Sequence, residues 1–150
     1  MSEQVRKKSP EFVFPRMLGM GMGQTEIGEI ERVAKHVGEP EEIFVPRFLQ
    51  ATLPKENKAH LVELDEDVWS QLQNTASYDI AKGEWDKVRN IIGDKRDWEG
   101  YRRRMENGQR IDAPIIVKLP GEYHKVSGNT RLMVACALGI TPKVLIVDLT

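Results

Sequence analysis

The sequence predicts an α+β domain in which a small mixed sheet is covered by helices, with an N-terminal arm and helix in front. Three observations favour this class. Strand signals over 114–118 and 123–126 flank Pro120-Gly121, a pattern typical of an antiparallel hairpin. Residues 132–138 are apolar on every side and predict a buried helix ending at Gly139. Residues 143–148 carry four contiguous apolar side chains and predict a strand buried on both faces.

Length and composition limit the possible classes of protein. The chain has 150 residues, the size of one ordinary domain, and its formal net charge of -1 excludes a uniformly basic nucleic-acid binder. Because every apolar run is far shorter than the roughly 20 residues of a membrane span, and residues 1–10 are polar, we expect a cytoplasmic protein without a membrane partner. A single cysteine, Cys136, excludes an internal disulfide and a cysteine-rich zinc site.

The chain divides into an arm (1–23), a helical and extended N-terminal extension (24–59) and the main domain (60–150). Glycine and methionine alternate over 19–23, which disfavours a helix, while the apolar side chains suit a groove on this protein or on a protein partner. A docked arm and a mobile arm both remain open. The glycines do not form a phosphate loop, because the Lys-Ser/Thr ending and a preceding strand are missing.

Periodicity and end signals predict the elements between the arm and the hairpin. The pattern from Ile27 to Val37 indicates an amphipathic helix ending near Gly38, and 43–45 after a Glu-Pro break indicates a short strand. Residues 60–64 predict a second strand, Asp65 caps a short helix, and 74–83 form a loop. Two further helices with core-facing aromatic side chains are predicted from the apolar stripes Trp85, Val88, Ile91, Ile92 and Trp98, Tyr101, Met105.

The residues from Gly128 to Arg131 carry the strongest chemical signal. They lie between a predicted strand and a helix N-terminus, where backbone N–H groups lack intrahelical partners and the helix dipole is positive. Gly128 permits close approach of the backbone, Asn129 and Thr130 offer side-chain donors, and Arg131 offers a planar fork suited to phosphate oxygens. The pattern predicts a phosphate-binding turn. The alternative is a turn glycine, a helix cap and a solvated or ion-paired arginine.

The residue order around this turn matches a known arrangement. Pro114-Ile115-Ile116-Val117 is followed by Tyr123-x-x-Val126-x-Gly128-x-x-Arg131-Leu132 and by Ala135-x-x-Leu138-Gly139-Ile140, before a closing strand. This order resembles the ParB/sulfiredoxin superfamily, over residues 98–148 well and over 60–96 loosely. In that superfamily a strand, a glycine-x-x-arginine turn and a helix bind a nucleotide or a backbone phosphate. The compact form and the Gly-Asn-Thr-Arg-Leu variant resemble small single-domain proteins of phage or mobile elements.

Departures from the superfamily narrow the function that the resemblance implies. Its members include partition proteins that bind CTP and DNA, sulfiredoxins that use ATP, a free-serine kinase and nuclease-like proteins. Thr130 stands where sulfiredoxins carry their cysteine, so sulfiredoxin chemistry is not expected. The chain stops at Thr150, before the helix-turn-helix domain that partition proteins add, so a stand-alone partition protein is not expected either.

The leading hypothesis is a ParB-like protein that binds a nucleoside triphosphate (ATP or CTP) with Mg²⁺ at Gly128 to Arg131. It would hydrolyse the nucleotide or transfer phosphate to an unidentified acceptor. Lys125 can reach a phosphate, although a solvated strand lysine is the alternative. Such catalysis also needs a carboxylate. The first candidates are Asp94 and Asp97, which lie among cations, with an exposed loop and a helix cap as the alternative; Asp79, Glu84 and Asp86 are second candidates.

The histidines are weaker candidates. His124, on the strand that leads into the turn, is a candidate acid or base, with a plain strand histidine as the alternative. His36, His60 and His124 lack metal-ligand spacing, so no metal site is predicted from the protein's own side chains.

Two rival functions remain open. In a DNA-binding or nuclease-like module the same turn would hold a backbone phosphate, and residues 86–110, with eight basic and five acidic side chains, would supply the approach surface. In a non-catalytic interaction protein the arm would engage a protein partner. A homodimer is a further open alternative.

Overall fold

A computed structural model of the chain describes residues 9–15, 24–72 and 80–150. These residues form an α+β structure, as predicted. Its elements in chain order are β1 (Glu11–Val13), α1 (Gln24–Val37), α2 (Glu41–Ala51), a 3₁₀ turn (Pro54–Glu56), β2 (Ala59–Glu63), α3 (Glu66–Gln71), α4 (Trp85–Ile92), α5 (Trp98–Glu106), β3 (Arg110–Asp112), β4 (Ile115–Leu119), β5 (Glu122–Ser127), α6 (Asn129–Leu138) and β6 (Lys143–Asp148).

The main sheet has four strands in the order β2-β6-β4-β5. Strands β4 and β6 run parallel, while β2 with β6 and β4 with β5 run antiparallel, so the sheet is mixed as expected. The predicted hairpin is confirmed: Gly121 has φ +78° in the turn between β4 and β5, a backbone conformation that favours glycine. Strand β5 is therefore an edge of the sheet, and it leads directly into α6.

Helices cover both faces of the sheet. On one face, alternate residues of β4 pack with α1 and α2; the largest buried side chains of those helices are Ile30, Phe44 and Phe48. On the other face, Ile116 and Val144 pack with Leu132 of α6. A third cluster joins α4, α5 and the far side of α6. Helix α6 is thus surrounded by apolar contacts, as its sequence predicts, and Gly139 ends it with φ +75°.

The predicted strand at 43–45 is wrong. These residues belong to helix α2, in which Phe44, Phe48 and Ala51 are buried at helical spacing and Ile43 is 56% exposed. The apolar triplet resembled a strand, but only Phe44 of the three is fully buried. Pro46 lies inside the helix and removes one backbone hydrogen bond. The carbonyl that loses this bond belongs to exposed Glu42, where water can satisfy it.

Part of the predicted arm is docked. Residues Glu11–Val13 pair in parallel with Arg110–Asp112, and Phe12 is buried in the cluster around α5. The glycine and methionine alternation at 19–23 lies outside the described residues, as does most of the predicted loop at 74–83. The predicted domain boundaries stay predictions, although α1 and α2 of the extension share one hydrophobic cluster with the sheet. Among the described helices, none has the length and apolarity needed to cross a membrane.

Candidate functional site

A cavity of about 270 Å³ lies where β5 runs into the N-terminus of α6. Helix α1 and the chain around α5 close its other sides. All five predicted binding residues meet there. The lining residues are Glu26, Glu29, Arg96, Tyr101, Lys125, Val126, Ser127, Gly128, Asn129, Thr130 and Arg131. The structure therefore brings the predicted turn together with side chains from three other parts of the fold.

Gly128 gives the cavity its tight corner. Its φ is +102°, and a β-carbon placed on it would lie 2.7 Å from the Cβ of Pro114. Gly128 is also the N-cap residue of α6, and its carbonyl accepts a hydrogen bond from the Leu132 N–H at 2.9 Å. Within the described chain no side chain caps this helix. The positive end of the α6 dipole consequently borders the cavity, which favours an anion there.

Arg131 holds the backbone around the cavity. Its Nη2 donates to Ser127 Oγ at 2.9 Å, and its Nη1 donates to the carbonyl of Asp112 and, at 3.5 Å, to that of Ala113. These bonds tie the last residue of β3 and the residue after it to the end of β5. Burial lowers the pKa of Arg131 below its ordinary value. The sequence predicts that the guanidinium of Arg131 binds phosphate, but both of its terminal nitrogens donate to acceptors within the protein. Arg131 therefore acts as a clamp that holds the end of β3 against the end of β5, and it lines the cavity at the same time.

Two other cations border the cavity. Lys125 is half-buried on β5; burial lowers its pKa, and the nearby carboxylate of Glu29 acts in the opposite direction. Arg96 is exposed and reaches the cavity from the connection between α4 and α5. An exposed guanidinium and a half-buried ammonium both suit an anionic ligand.

Sequence reasoning missed the carboxylates of the cavity. Glu26 and Glu29 line it from α1, and Glu29, whose side chain is mostly buried, pairs with Arg32 at 2.7 Å. In the sequence both glutamates belong to the polar face of an amphipathic helix. No local signal distinguishes them from solvated residues, because their position depends on α1 packing beside β5. Carboxylate oxygens are ligands that Mg²⁺ accepts.

The predicted catalytic aspartates lie in a neighbouring depression. Asp94 and Asp97 are exposed there, and Asp97 caps α5 by accepting a hydrogen bond from the Gly100 N–H at 3.0 Å. This is the alternative role that the sequence left open for Asp97. Arg96 lines both the depression and the cavity. Asp94 and Asp97 therefore do not line the cavity.

The second-choice acids also lie elsewhere. Glu84 accepts a hydrogen bond from the Ala81 N–H at 2.7 Å, a bond that lowers its pKa, and it pairs with Lys87 at 3.5 Å. Asp86 is exposed on α4 and lies 3.6 Å from Arg89. Asp79 lies outside the described residues.

His124 does not line the cavity. It is 3% exposed on the neighbouring part of β5, and its Nε2 lies 3.0 Å from Glu122 Oε1. His36, from the last turn of α1, lies beside both residues. Spacing along the sequence did not predict this group, since 86 and 88 residues separate His36 from Glu122 and His124.

The basic stretch of 86–110 is partly occupied by aromatic contacts. Arg102 stacks 4.0 Å from the Trp85 ring centre, and Arg104 stacks 4.5 Å from that of Tyr101. Arg102 also lies 3.6 Å from Glu106. These two arginines therefore cover aromatic side chains of α4 and α5.

Comparisons with protein-family models, with curated proteins and with solved structures found no match. The ParB/sulfiredoxin resemblance therefore stays a prediction that depends on the motif around Gly128 and Arg131.

Proposed function

We propose that this protein binds the phosphate groups of a nucleoside triphosphate in the cavity between α1 and the N-terminus of α6, and hydrolyses the nucleotide or transfers a phosphate. One observation carries the proposal: the cavity combines a helix N-terminus that has no side-chain cap with Lys125, Arg96 and the Arg131 clamp. Positive charge from backbone and side chains at one small site favours a multiply charged anion.

The size of the cavity supports binding of the phosphates over binding of a whole nucleotide. At about 270 Å³ it lies just below the roughly 300–1,000 Å³ typical of small-molecule sites. The phosphate chain would occupy the cavity, and the sugar and base would extend toward solvent. Weak selectivity for the base is then expected.

The two glutamates support a role for Mg²⁺ with the nucleotide. Glu26 and Glu29 would repel phosphate oxygens if no cation lay between them, and their carboxylates fit a Mg²⁺ ion. When bound, the ion would neutralise phosphate charge. Lys125 and Arg96 would orient the phosphate chain, and Arg131 would keep Ser127 and the α6 N-terminus in position.

The first experiment measures binding of ATP, CTP, their deoxy forms and the unphosphorylated nucleosides, with and without Mg²⁺, by calorimetry. We expect Mg²⁺-dependent binding of triphosphates and none of nucleosides. Lys125→Gln should weaken binding at least about tenfold, because a charge-assisted contact is lost. Lys118→Gln is the matched control, since Lys118 is on the neighbouring strand and does not line the cavity. Equal binding by the two variants would contradict the proposal.

A DNA-binding or DNA-processing role is the second candidate, because Arg96 connects the cavity to a depression that Arg89 and Lys95 also line. Retention of DNA that falls steeply with salt, without nucleotide binding, would favour it. Absence of both activities would favour the interaction protein. Release of inorganic phosphate from bound nucleotide distinguishes an enzyme from a binding protein.

A further inference from the structure

The structure brings two histidines and a glutamate together at the end of β5 that faces away from α6. His36 comes from the last turn of α1, and Glu122 and His124 lie two residues apart on β5. Glu122 Oε1 lies 3.0 Å from His124 Nε2 and 3.4 Å from His36 Nε2. One potential ligand atom from each residue lies within 4.8 Å of the other two.

We propose that His36, Glu122 and His124 bind a divalent first-row transition-metal ion of the Zn²⁺ type and thereby connect α1 to the edge strand β5. This site uses none of the residues that line the proposed phosphate site.

The separations fit a small coordination sphere. With metal–ligand bonds of about 2.0–2.2 Å, ligand atoms of a tetrahedral site lie about 3.3–3.5 Å apart. Two of the present separations, 3.0 and 3.4 Å, are already close to that value. The third, between the two imidazoles, closes by rotation of His36, whose side chain is 54% exposed and therefore has room to move.

The donor set selects the class of ion. Two imidazole nitrogens with one carboxylate form an open site typical of Zn²⁺, with a fourth position left for water. Mg²⁺ and Ca²⁺ prefer a sphere made of oxygens, and this group offers only one carboxylate. The Mg²⁺ expected with the nucleotide is therefore not expected to compete here.

The protein already holds two of the ligands in position. His124 is buried, and its pairing partner across the sheet is Val117 of the central strand β4. His124 Nε2 lies 3.0 Å from Glu122 Oε1, so an ion bound between them would replace the proton that the two atoms share. A carboxylate already placed next to a buried imidazole reduces the conformational entropy that metal binding would cost.

The ion would stabilise the position of α1. His36 follows Glu29 by seven residues, about 10 Å along the helix axis. Metal binding at His36 would therefore fix the helix that also supplies Glu26 and Glu29 to the cavity. Binding to the folded state alone would raise the stability of the whole chain.

The test titrates the chelator-treated full-length protein with Co²⁺, whose visible absorption bands report tetrahedral nitrogen and oxygen ligands, and with Zn²⁺ against a chromophoric chelator. We expect one ion per chain and a rise in Tm with Zn²⁺. His36→Ala should weaken Zn²⁺ binding by more than about 100-fold, beyond the 10–100-fold typical of losing an outer-shell partner. His60→Ala is the matched control, because His60 is exposed on β2 and belongs to another edge of the sheet.

Glu122→Gln provides a second variant that removes a charged ligand while keeping the side-chain shape. The proposal is supported if His36→Ala and Glu122→Gln both lose the Co²⁺ spectrum while His60→Ala keeps it. It is overturned if the wild-type chain gives no tetrahedral spectrum, or if the His36 and His60 variants bind Zn²⁺ equally. Circular dichroism of each apo variant shows that the helices are intact before metal is added.

Discussion

Gly128 lies against Pro114 so closely that a β-carbon on Gly128 would be 2.7 Å from the Cβ and 2.8 Å from the Cα of Pro114. Pro114 cannot easily retreat, because its carbonyl accepts a hydrogen bond from the Leu145 N–H of β6 at 2.8 Å. The turn that borders the cavity is therefore fixed against the centre of the sheet.

Gly128→Ala should destabilise the fold through both strain and collision. The positive φ alone costs about 1–3 kcal/mol for a residue with a β-carbon, and the contact with Pro114 adds to that cost. Gly121→Ala is the matched control, because Gly121 also has a positive φ but no heavy atom within 4 Å of an added β-carbon. Urea unfolding measures both. Equal losses of unfolding free energy in the two variants would show that Pro114 moves to make room for the added methyl group.

Arg131→Ala should lower stability as well as any phosphate affinity. The substitution leaves the carbonyl of Asp112 and the hydroxyl of Ser127 without their guanidinium donor, and one hydrogen bond to a charged group contributes about 1.5–3 kcal/mol. We expect a loss of about 2–4 kcal/mol in urea unfolding. Arg103→Ala, at an exposed position of α5, should change stability by less than about 0.5 kcal/mol. A stable, folded Arg131→Ala protein would mean that the clamp contributes little.

The identity of α2 as a helix can be tested by comparing Phe44→Ala with Ile43→Ala. Phe44 is fully buried against the sheet, so its truncation should cost about 3–5 kcal/mol. Ile43 is mostly exposed, and its truncation should cost less than about 1 kcal/mol. Phe48→Ala, one helical turn later, should resemble Phe44→Ala. In a strand Ile43 would alternate with Phe44, and a large effect at Ile43 with none at Phe48 would contradict the helix.

The features that the sequence predicted correctly depend on contacts within a few residues. Asp65 and Asp97 each accept a hydrogen bond from an N–H three residues later, and Gly121 and Gly139 adopt the positive φ that their turns require. Local chemistry decides such features, so a single sequence contains their signals.

The features that the sequence did not predict depend on packing between distant segments. Strand β2 pairs with β6, whose paired residues come 80 to 88 positions later, and α1 packs beside β5. The packing of α1 beside β5 brings Glu29 to Lys125 and His36 to His124. Each residue alone is typical of a solvated helix face or an ordinary strand, so its chemical role appears only when the neighbouring element is in place.

Cys136 should react slowly with thiol reagents at neutral pH. Burial within α6 raises the pKa of its thiol to about 11, and the reactive form is the thiolate. The rate of disulfide exchange with an aromatic disulfide reagent should therefore rise steadily as the pH increases toward 11. In urea the pKa returns toward the ordinary value of 9.0, and the reaction at neutral pH should accelerate.

The raised pKa of Cys136 also makes the free energy of unfolding depend on pH. The contribution of the buried thiol to that free energy is complete below the unfolded pKa and decreases as the pH rises through about 9 to 11. Cys136→Ala removes this pH dependence from the urea unfolding curve, and an unchanged dependence would assign it to another group.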